Sequence, residues 1–105
     1  MSMETYTVEI AETESHEGIS ADVYDEDGLV TESLHVAYAD YGVAAVREDW
    51  EPDVVEREVT ADVTTLDMQV ARANDVFEFR LLGDREELLR ERLSDSDLQL
   101  AYVDE

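Results

Sequence analysis

Apolar and polar side chains alternate along much of the chain, and a period of two is typical of a β-strand with one buried face. The alternation predicts strands over 4–11, 18–24, 55–63 and 76–82, and shorter patterns predict strands over 43–46 and 98–103. The segment 76–82 combines aromatic and aliphatic residues, which favours a central strand. We therefore expect an antiparallel sheet of about five to six strands.

Turn and loop signals separate these segments. Asp25–Gly28 contains an Asp-Gly pair, which tolerates the positive φ of a tight hairpin turn. A loop is predicted over 48–53, where the only proline stands among charged residues, and further turns are predicted at Asn74–Asp75 and over 94–97. Tight turns between alternating segments favour antiparallel pairing of the strands.

Two segments fit either a strand or a helix. In 29–41, apolar residues suit a strand, while a helix would be capped by Asp27 and ended by Gly42. We favour the strand because Val, Thr and Tyr are common in this segment. Over 64–73 both spacings fit equally well, so this segment leaves room for a second helix.

The clearest helix signal covers 84–94. Asp84 stands where a helix N-cap is expected, Glu87 occupies the capping-box position, and Glu86 and Arg90 are four residues apart. Leu88, Leu89 and Leu93 form an apolar stripe at helical spacing. The patterns together predict an α+β fold that consists mainly of the antiparallel sheet and carries one C-terminal helix.

Composition adds a strong statement about the surface. The chain has 105 residues, of which 29 are acidic and 7 are basic, and the formal net charge is -22. Hydrophobic residues make up 44% of the chain, enough for a folded core, and the length suits a single globular domain over 1–105. Such a surface suits concentrated salt, because the Debye length falls to about 3 Å at 1 M and separated carboxylates then scarcely repel one another.

The cations are all arginine, lysine and cysteine are absent, and Asp, Glu, Val, Thr and Ala are abundant. This composition resembles that of small acidic cytoplasmic proteins of salt-accumulating haloarchaea, as do stretches such as Asp25–Gly28 and 38–42. The resemblance covers the whole chain, implies a cytoplasmic location in strong salt, and brings no functional residue with it. The start of the chain has no basic leader and the longest aliphatic run is 43–46, so we expect neither export nor membrane insertion.

No motif assembles a catalytic, cofactor or metal site. His16 and His35 stand in no recognised ligand or catalytic spacing, and the acidic turn over 25–28 departs from the EF-hand signature. The glycines form neither a P-loop nor a dinucleotide-binding turn. We therefore expect no bound cofactor and only solvated, exchangeable cations at the acidic surface, and the negative charge disfavours direct binding of nucleic acid.

One region is locally neutral. Over 80–92 four arginines stand against four carboxylates, so a second copy of the chain or an acidic protein could approach here with least repulsion. Pairing of these charges within the predicted helix is the alternative. The candidate contact residues are Arg85 and Arg92, together with Tyr41 and Trp50, because aromatic residues are enriched at interfaces. The tryptophan could equally cover the core.

These observations indicate a small, non-enzymatic interaction or structural module whose partner is a second copy or another protein. Self-association is expected through a sheet edge or through the 84–94 helix, since a free edge invites pairing. The alternative is a small enzyme or ligand-binding protein with a pocket of carboxylate, tyrosine and histidine side chains, which the abundance of carboxylates would hide.

Overall fold

A computed structural model describes residues 3–45 and 54–103 of the chain. These residues form nine β-strands, which are β1 (Glu4–Glu12), β2 (Gly18–Tyr24), β3 (Val30–Ala37), β4 (Val43–Ala45), β5 (Val55–Ala61), β6 (Leu66–Ala73), β7 (Val76–Gly83), β8 (Glu86–Ser94) and β9 (Leu100–Tyr102). A 3₁₀ helix (Tyr38–Tyr41) precedes β4, and one helical turn, α1 (Asp95–Leu98), precedes β9. The loop predicted over 48–53 lies outside the described residues.

All strand pairs in the described ranges are antiparallel. A four-stranded sheet has the order β3-β2-β1-β5, a three-stranded sheet has the order β6-β7-β8, and β4 pairs with β9. The strands predicted from alternation are all present, and their ends lie within two residues of the predicted ends. The predicted turns at Asp25–Gly28 and Asn74–Asp75 are also confirmed, with positive φ at Gly28 and at both residues of the second turn.

The predicted α+β class is wrong, because the described residues are essentially all β. The segment 84–94 forms β8 instead of a helix. Asp84 and Arg85 have φ of 49° and 75° and make a two-residue turn, and the Asp84 carboxylate accepts hydrogen bonds from the Thr64 and Thr65 amides of the preceding loop. Gly83 and Glu86, which flank the turn, are paired across the hairpin.

The leucines that suggested the helix belong to a strand with a β-bulge. Leu81 pairs with Leu89 and Leu82 pairs with Glu87, so Leu88 is an extra residue that interrupts the period of two. One inserted residue changes the spacing of apolar positions from that of a strand to one that a helix also satisfies. The predicted helical pair of Glu86 and Arg90 does not form, because Arg90 pairs with Glu87 and Glu78.

The two ambiguous segments both form strands. In 29–41 the favoured strand is present as β3, and the 3₁₀ helix follows it and ends at Gly42, whose φ is 71°. The segment 64–73 forms β6, so it does not supply a second helix. Where a turn was predicted over 94–97, Ser94 and Asp97 form a capping box that starts α1.

The hydrophobic core lies between the inner faces of the two larger sheets. Val8 and Ile10 of β1 and Phe77, Phe79 and Leu81 of β7 have at most 1% exposure. Strand β3 runs beside β6 and β5 runs beside β8, so the two sheets meet at both flanks. Because alternate residues of a strand face opposite sides, each sheet also presents an outer face.

No helix within the described ranges has both the length and the apolar character that crossing a bilayer requires.

Candidate functional site

The outer face of the three-stranded sheet carries a cluster of arginines, and we call it the arginine face. Its residues alternate with the buried Phe77, Phe79 and Leu81 on β7 and with their partners on β6 and β8. Three rows cross the strands: an acidic row (Asp67, Leu82, Glu87), a basic row (Gln69, Arg80, Arg90) and a mixed row (Ala71, Glu78, Arg92). The face therefore has three arginines and three carboxylates and is neutral as a whole.

Two of these arginines are paired with carboxylates of the same face. The Arg92 Nε donates to Glu78 Oε2 at 2.8 Å, and the Arg90 Nε donates to Glu87 Oε1 at 2.9 Å and lies 3.8 Å from Glu78 Oε1. The hydrogen bond from Arg92, together with the charges of Arg90 and Arg80, lowers the pKa of Glu78. The pairing fixes the side chains around the centre of the face.

Arg80 differs from its neighbours. Among the ion pairs formed by the described residues none includes Arg80, and its side chain instead donates from Nη2 to Gln69 Oε1 at 3.3 Å. Arg80 also stands directly opposite Arg90 in the β7–β8 ladder. Like charges directly opposite one another destabilise a sheet, so this step of the ladder is suited to receive a carboxylate from outside.

The structure separates the three described residues among the four that the sequence indicated as contacts. Arg92 lies on the arginine face, whereas Arg85 lies in the turn at the other end of β8, roughly 23 Å away along the strand. Tyr41 packs edge-on against the inner residue Phe77, with the ring centroids 5.3 Å apart. Trp50 lies outside the described residues. The predicted neutral region therefore contributes to the face, and of the three described candidates only Arg92 belongs to it.

Arg80 and Arg90 were missed as a pair because their opposition depends on the hairpin register. In the structure, the two-residue turn at Asp84–Arg85 and the bulge at Leu88 together place Arg90 across from Arg80, whereas a helix over 84–94 would not pair with β7 at all. The signal in the sequence is the strand that ends at Gly83 and resumes after two turn residues. Recognising that hairpin alone would have placed Leu89 opposite Arg80, because the bulge at Leu88 shifts the pairing by one residue.

A second cluster, around Arg72, lies at one end of the sandwich and has a structural role. The Arg72 guanidinium donates two hydrogen bonds to the Asp95 carboxylate, both at 2.8 Å, and lies 4.5 Å from the centroid of the Phe77 ring. The Asp95 hydrogen bonds raise the pKa of Arg72. Tyr102 donates to Asp75 beside an open cleft of about 680 Å³ lined by 74–76, 94–96 and 99–102. Arg72 lies on β6, Asp95 on α1 and Tyr102 on β9, so these contacts hold α1 and β9 against β6.

A third cluster centres on the Glu12 carboxylate and includes one of the two histidines. The Glu12 carboxylate, whose side chain is 4% exposed, bonds His16 Nδ1 at 2.6 Å through Oε1 and accepts from the Tyr38 hydroxyl at 2.7 Å through Oε2. At the acidic hairpin, Asp25 Oδ1 accepts from two amides of its own turn. Within the described part of the chain, no three histidine or carboxylate side chains are arranged to hold a metal ion.

No protein-family model, curated protein sequence or solved structure matches the chain. The functional conclusion therefore depends on the geometry of the arginine face and of the Glu12 cluster.

Proposed function

We propose that the chain is a small, non-enzymatic interaction module of a salt-rich cytoplasm and that it binds a protein partner through the arginine face. The observation that carries this proposal is Arg80. In a chain with 29 acidic residues, this arginine has no carboxylate within ion-pair distance among the described residues and stands opposite a second arginine. A partner carboxylate placed between Arg80 and Arg90 would relieve their repulsion and accept hydrogen bonds from both.

The surroundings of Arg80 also support a protein contact. The face is a three-stranded sheet surface, and its alanine and leucine positions give the long arginine stems apolar neighbours. Arginine is enriched at protein interfaces because its planar group makes directed, paired hydrogen bonds. In molar salt, screening removes long-range attraction, so only groups in direct contact contribute to recognition.

The test compares three charge-matched variants as baits in molar salt. Arg80→Glu and Arg90→Glu change the basic row, while Arg85→Glu makes the same charge change in the turn, off the face. We expect wild type and Arg85→Glu to retain the same stoichiometric protein from a lysate of salt-adapted cells and the two face variants to lose it. Equal retention by all four baits would exclude the arginine face as the binding surface.

A second candidate function follows from the Glu12 cluster. A carboxylate that is nearly buried and bonded to a histidine Nδ1 is the arrangement that orients an imidazole for proton transfer in many enzymes. Tyr38, held by the same carboxylate, adds a hydroxyl. This is the carboxylate, tyrosine and histidine combination that a small enzyme or ligand-binding protein would use.

The two candidates are distinguished by what the purified protein retains. Native mass spectrometry that shows a bound small molecule, lost in His16→Gln but kept in Arg80→Glu, would favour the enzyme or ligand-binding function. A mass equal to that of the bare chain in both variants, together with the partner loss described above, would favour the interaction module.

A further inference from the structure

We propose that the partner on the arginine face is a second copy of the chain, in a two-fold dimer whose faces lie against each other with their rows in reversed order. This inference rests on the proposed function, because it names the partner of the same face. It follows from how the charges are distributed within the face.

The rows of the arginine face are arranged in bands. Successive rows lie two residues apart on each strand, or about 7 Å. We place a two-fold axis parallel to the rows, midway between the acidic and basic rows. This axis reverses the order of the rows along the strands and lays each strand over the same strand of the other copy. The basic row of each copy then lies over the acidic row of the other, and every contact forms twice, as in any isologous interface.

This arrangement matches the residues one to one. Arg90 lies over Glu87 of the other copy, because both are on β8, and Gln69 lies over Asp67, because both are on β6. Arg80 lies over Leu82, flanked by the other copy's two acidic-row carboxylates at the strand spacing of about 4.8 Å. The unpaired guanidinium thus gains a carboxylate, and its stem covers a leucine.

Charge complementarity favours a second copy over an acidic protein. A uniformly acidic surface would meet the basic row well but would oppose Asp67, Glu78 and Glu87. The outer face of the four-stranded sheet is such a surface, since Glu9, Asp22, Glu56 and Glu58 lie on it and none of its described residues is an arginine. Only a surface with the same two bands, in reverse, satisfies both rows.

The size of the face sets the expected strength. About this axis the acidic and basic rows of the two copies overlap over roughly 14 by 14 Å and the mixed row lies outside the contact, so the area is far less than the about 800 Å² per partner of a standard interface. We therefore expect a weak dimer, with a dissociation constant on the order of 100 μM. Such a dimer would form and separate readily and would be missed at low concentration.

The experiment is a charge exchange measured by sedimentation equilibrium in molar potassium chloride, from about 10 μM to about 1 mM so as to span that constant. Arg90→Glu alone places two glutamates in contact, and Glu87→Arg alone places two arginines in contact, so each variant should be monomeric.

An equimolar mixture of Arg90→Glu and Glu87→Arg should restore the dimer. The glutamate introduced in one variant then lies over the arginine introduced in the other, and the native Glu87 of the first lies over the native Arg90 of the second. Arg85→Glu, off the face, should dimerise like the wild type, and circular dichroism checks that each variant is folded.

The outcomes separate this inference from the proposed function. A wild type that stays monomeric to the highest concentration would overturn the dimer, while loss of a retained protein in Arg80→Glu would leave the proposed function standing. Average masses that grow beyond two copies would indicate the arginine face docking on the outer face of the four-stranded sheet and would also overturn the two-fold dimer. A dimer that survives Arg90→Glu would place the contact elsewhere and overturn the two-fold dimer on this face, while the retained-partner test would still decide the proposed function.

Discussion

The two sheets have the same antiparallel construction but opposite outer surfaces. On the four-stranded sheet, Glu56, Glu9 and Asp22 stand side by side across β5, β1 and β2, and Glu58 lies one row away. In this row Asp22 accepts a hydrogen bond from Ser33 at 2.6 Å, which compensates none of the charge. We call this surface the acidic face. The arginine face has equal numbers of both signs.

The difference separates two ways of keeping charged side chains on a sheet. On the arginine face, the counter-ions are part of the chain, and the lowered pKa of Glu78 reports the nearby arginines. On the acidic face, burial and the charges of Asp22 and Glu9 raise the pKa of Tyr24, as expected where no described cation balances the carboxylates. The acidic face therefore depends on ions from solution, and the salt response of the fold should originate there.

The largest expected effect is loss of the fold at low salt. Lowering ionic strength from about 1 M to about 0.01 M lengthens the Debye length from about 3 to about 30 Å, so repulsion acts across the whole domain. Domains have only about 5 to 15 kcal/mol of stability to lose. We expect cooperative tertiary structure to disappear at low salt and neutral pH and to return when salt is restored, measured by near-UV circular dichroism during thermal melts. A midpoint that stays flat across the salt series would contradict a salt-adapted surface.

The comparison of faces could be predicted only in part from the sequence. The period of two predicted β1, β2 and β7 because each has one buried face, it predicted β5 from the alternation of Val55, Val59 and Ala61 with charged residues, and the charge balance over 80–92 indicated the neutral region. The predicted class of fold was wrong because the extra residue Leu88 gave β8 the apolar spacing of a helix. A local pattern cannot distinguish a bulged strand from a helix when both place leucines on one side.

The site was less predictable than the fold because it depends on register. Neither the row of Glu56, Glu9 and Asp22 nor the opposition of Arg80 and Arg90 is visible until the strands are aligned. Residue spacing gives the neighbours only across a tight hairpin without a bulge, and it gives no information about strands far apart in the chain, such as β1 and β5. Homodimerisation, salt adaptation and a single domain over 1–105 stay predictions.

The next largest effect concerns a charge pair that neither face contains. Asp95→Asn removes the charge that faces Arg72, whose side chain is only 9% exposed, and leaves a guanidinium largely buried beside Phe77. We expect a loss of about 3 kcal/mol in the free energy of unfolding, nearly independent of salt, because breaking a buried pair leaves a charge whose nearest remaining carboxylate is the exposed Asp75 at 4.0 Å. Urea unfolding in molar salt measures the loss.

The matched control for Asp95→Asn is Arg92→Gln, which breaks the ion pair between Arg92 and Glu78. The Arg92 side chain is 61% exposed. Its effect should be much smaller, because exposed ion pairs contribute little. Equal losses in the two variants would show that burial does not distinguish the structural arginine from those of the arginine face.

A smaller effect separates local repulsion from net charge. The triple variant Glu9→Gln, Asp22→Asn and Glu56→Gln removes three charges from the acidic face. These charges form two opposed pairs, because Glu9 lies between Asp22 and Glu56. At low salt we expect a gain on the order of 1 kcal/mol, since each opposed pair costs roughly 0.2–1 kcal/mol, and the gain should vanish in molar salt. Thermal midpoints across the salt series measure it.

The control for this triple makes the same change in charge on the arginine face. Asp67→Asn, Glu78→Gln and Glu87→Gln remove the carboxylates that pair with or lie near the arginines. This variant should gain nothing at low salt, because it leaves the arginines opposed without counter-ions. If both triples raised the midpoint equally, net charge alone would govern the salt response and the two faces would be equivalent.

The smallest effect is a pH dependence confined to the arginine face. The hydrogen bond from Arg92, with the charges of Arg90 and Arg80, lowers the pKa of Glu78 in the folded state, so its ionised form stabilises the fold. That contribution is complete above the pKa of the unfolded chain, near 4.3, and is lost as the pH falls through the lower folded value. Wild type should therefore exceed Glu78→Gln in thermal midpoint at pH 7, and the difference should disappear in acid. Glu9→Gln is the control from the acidic face. A Glu78→Gln midpoint equal to that of wild type at every pH would show that the arginines do not stabilise this carboxylate.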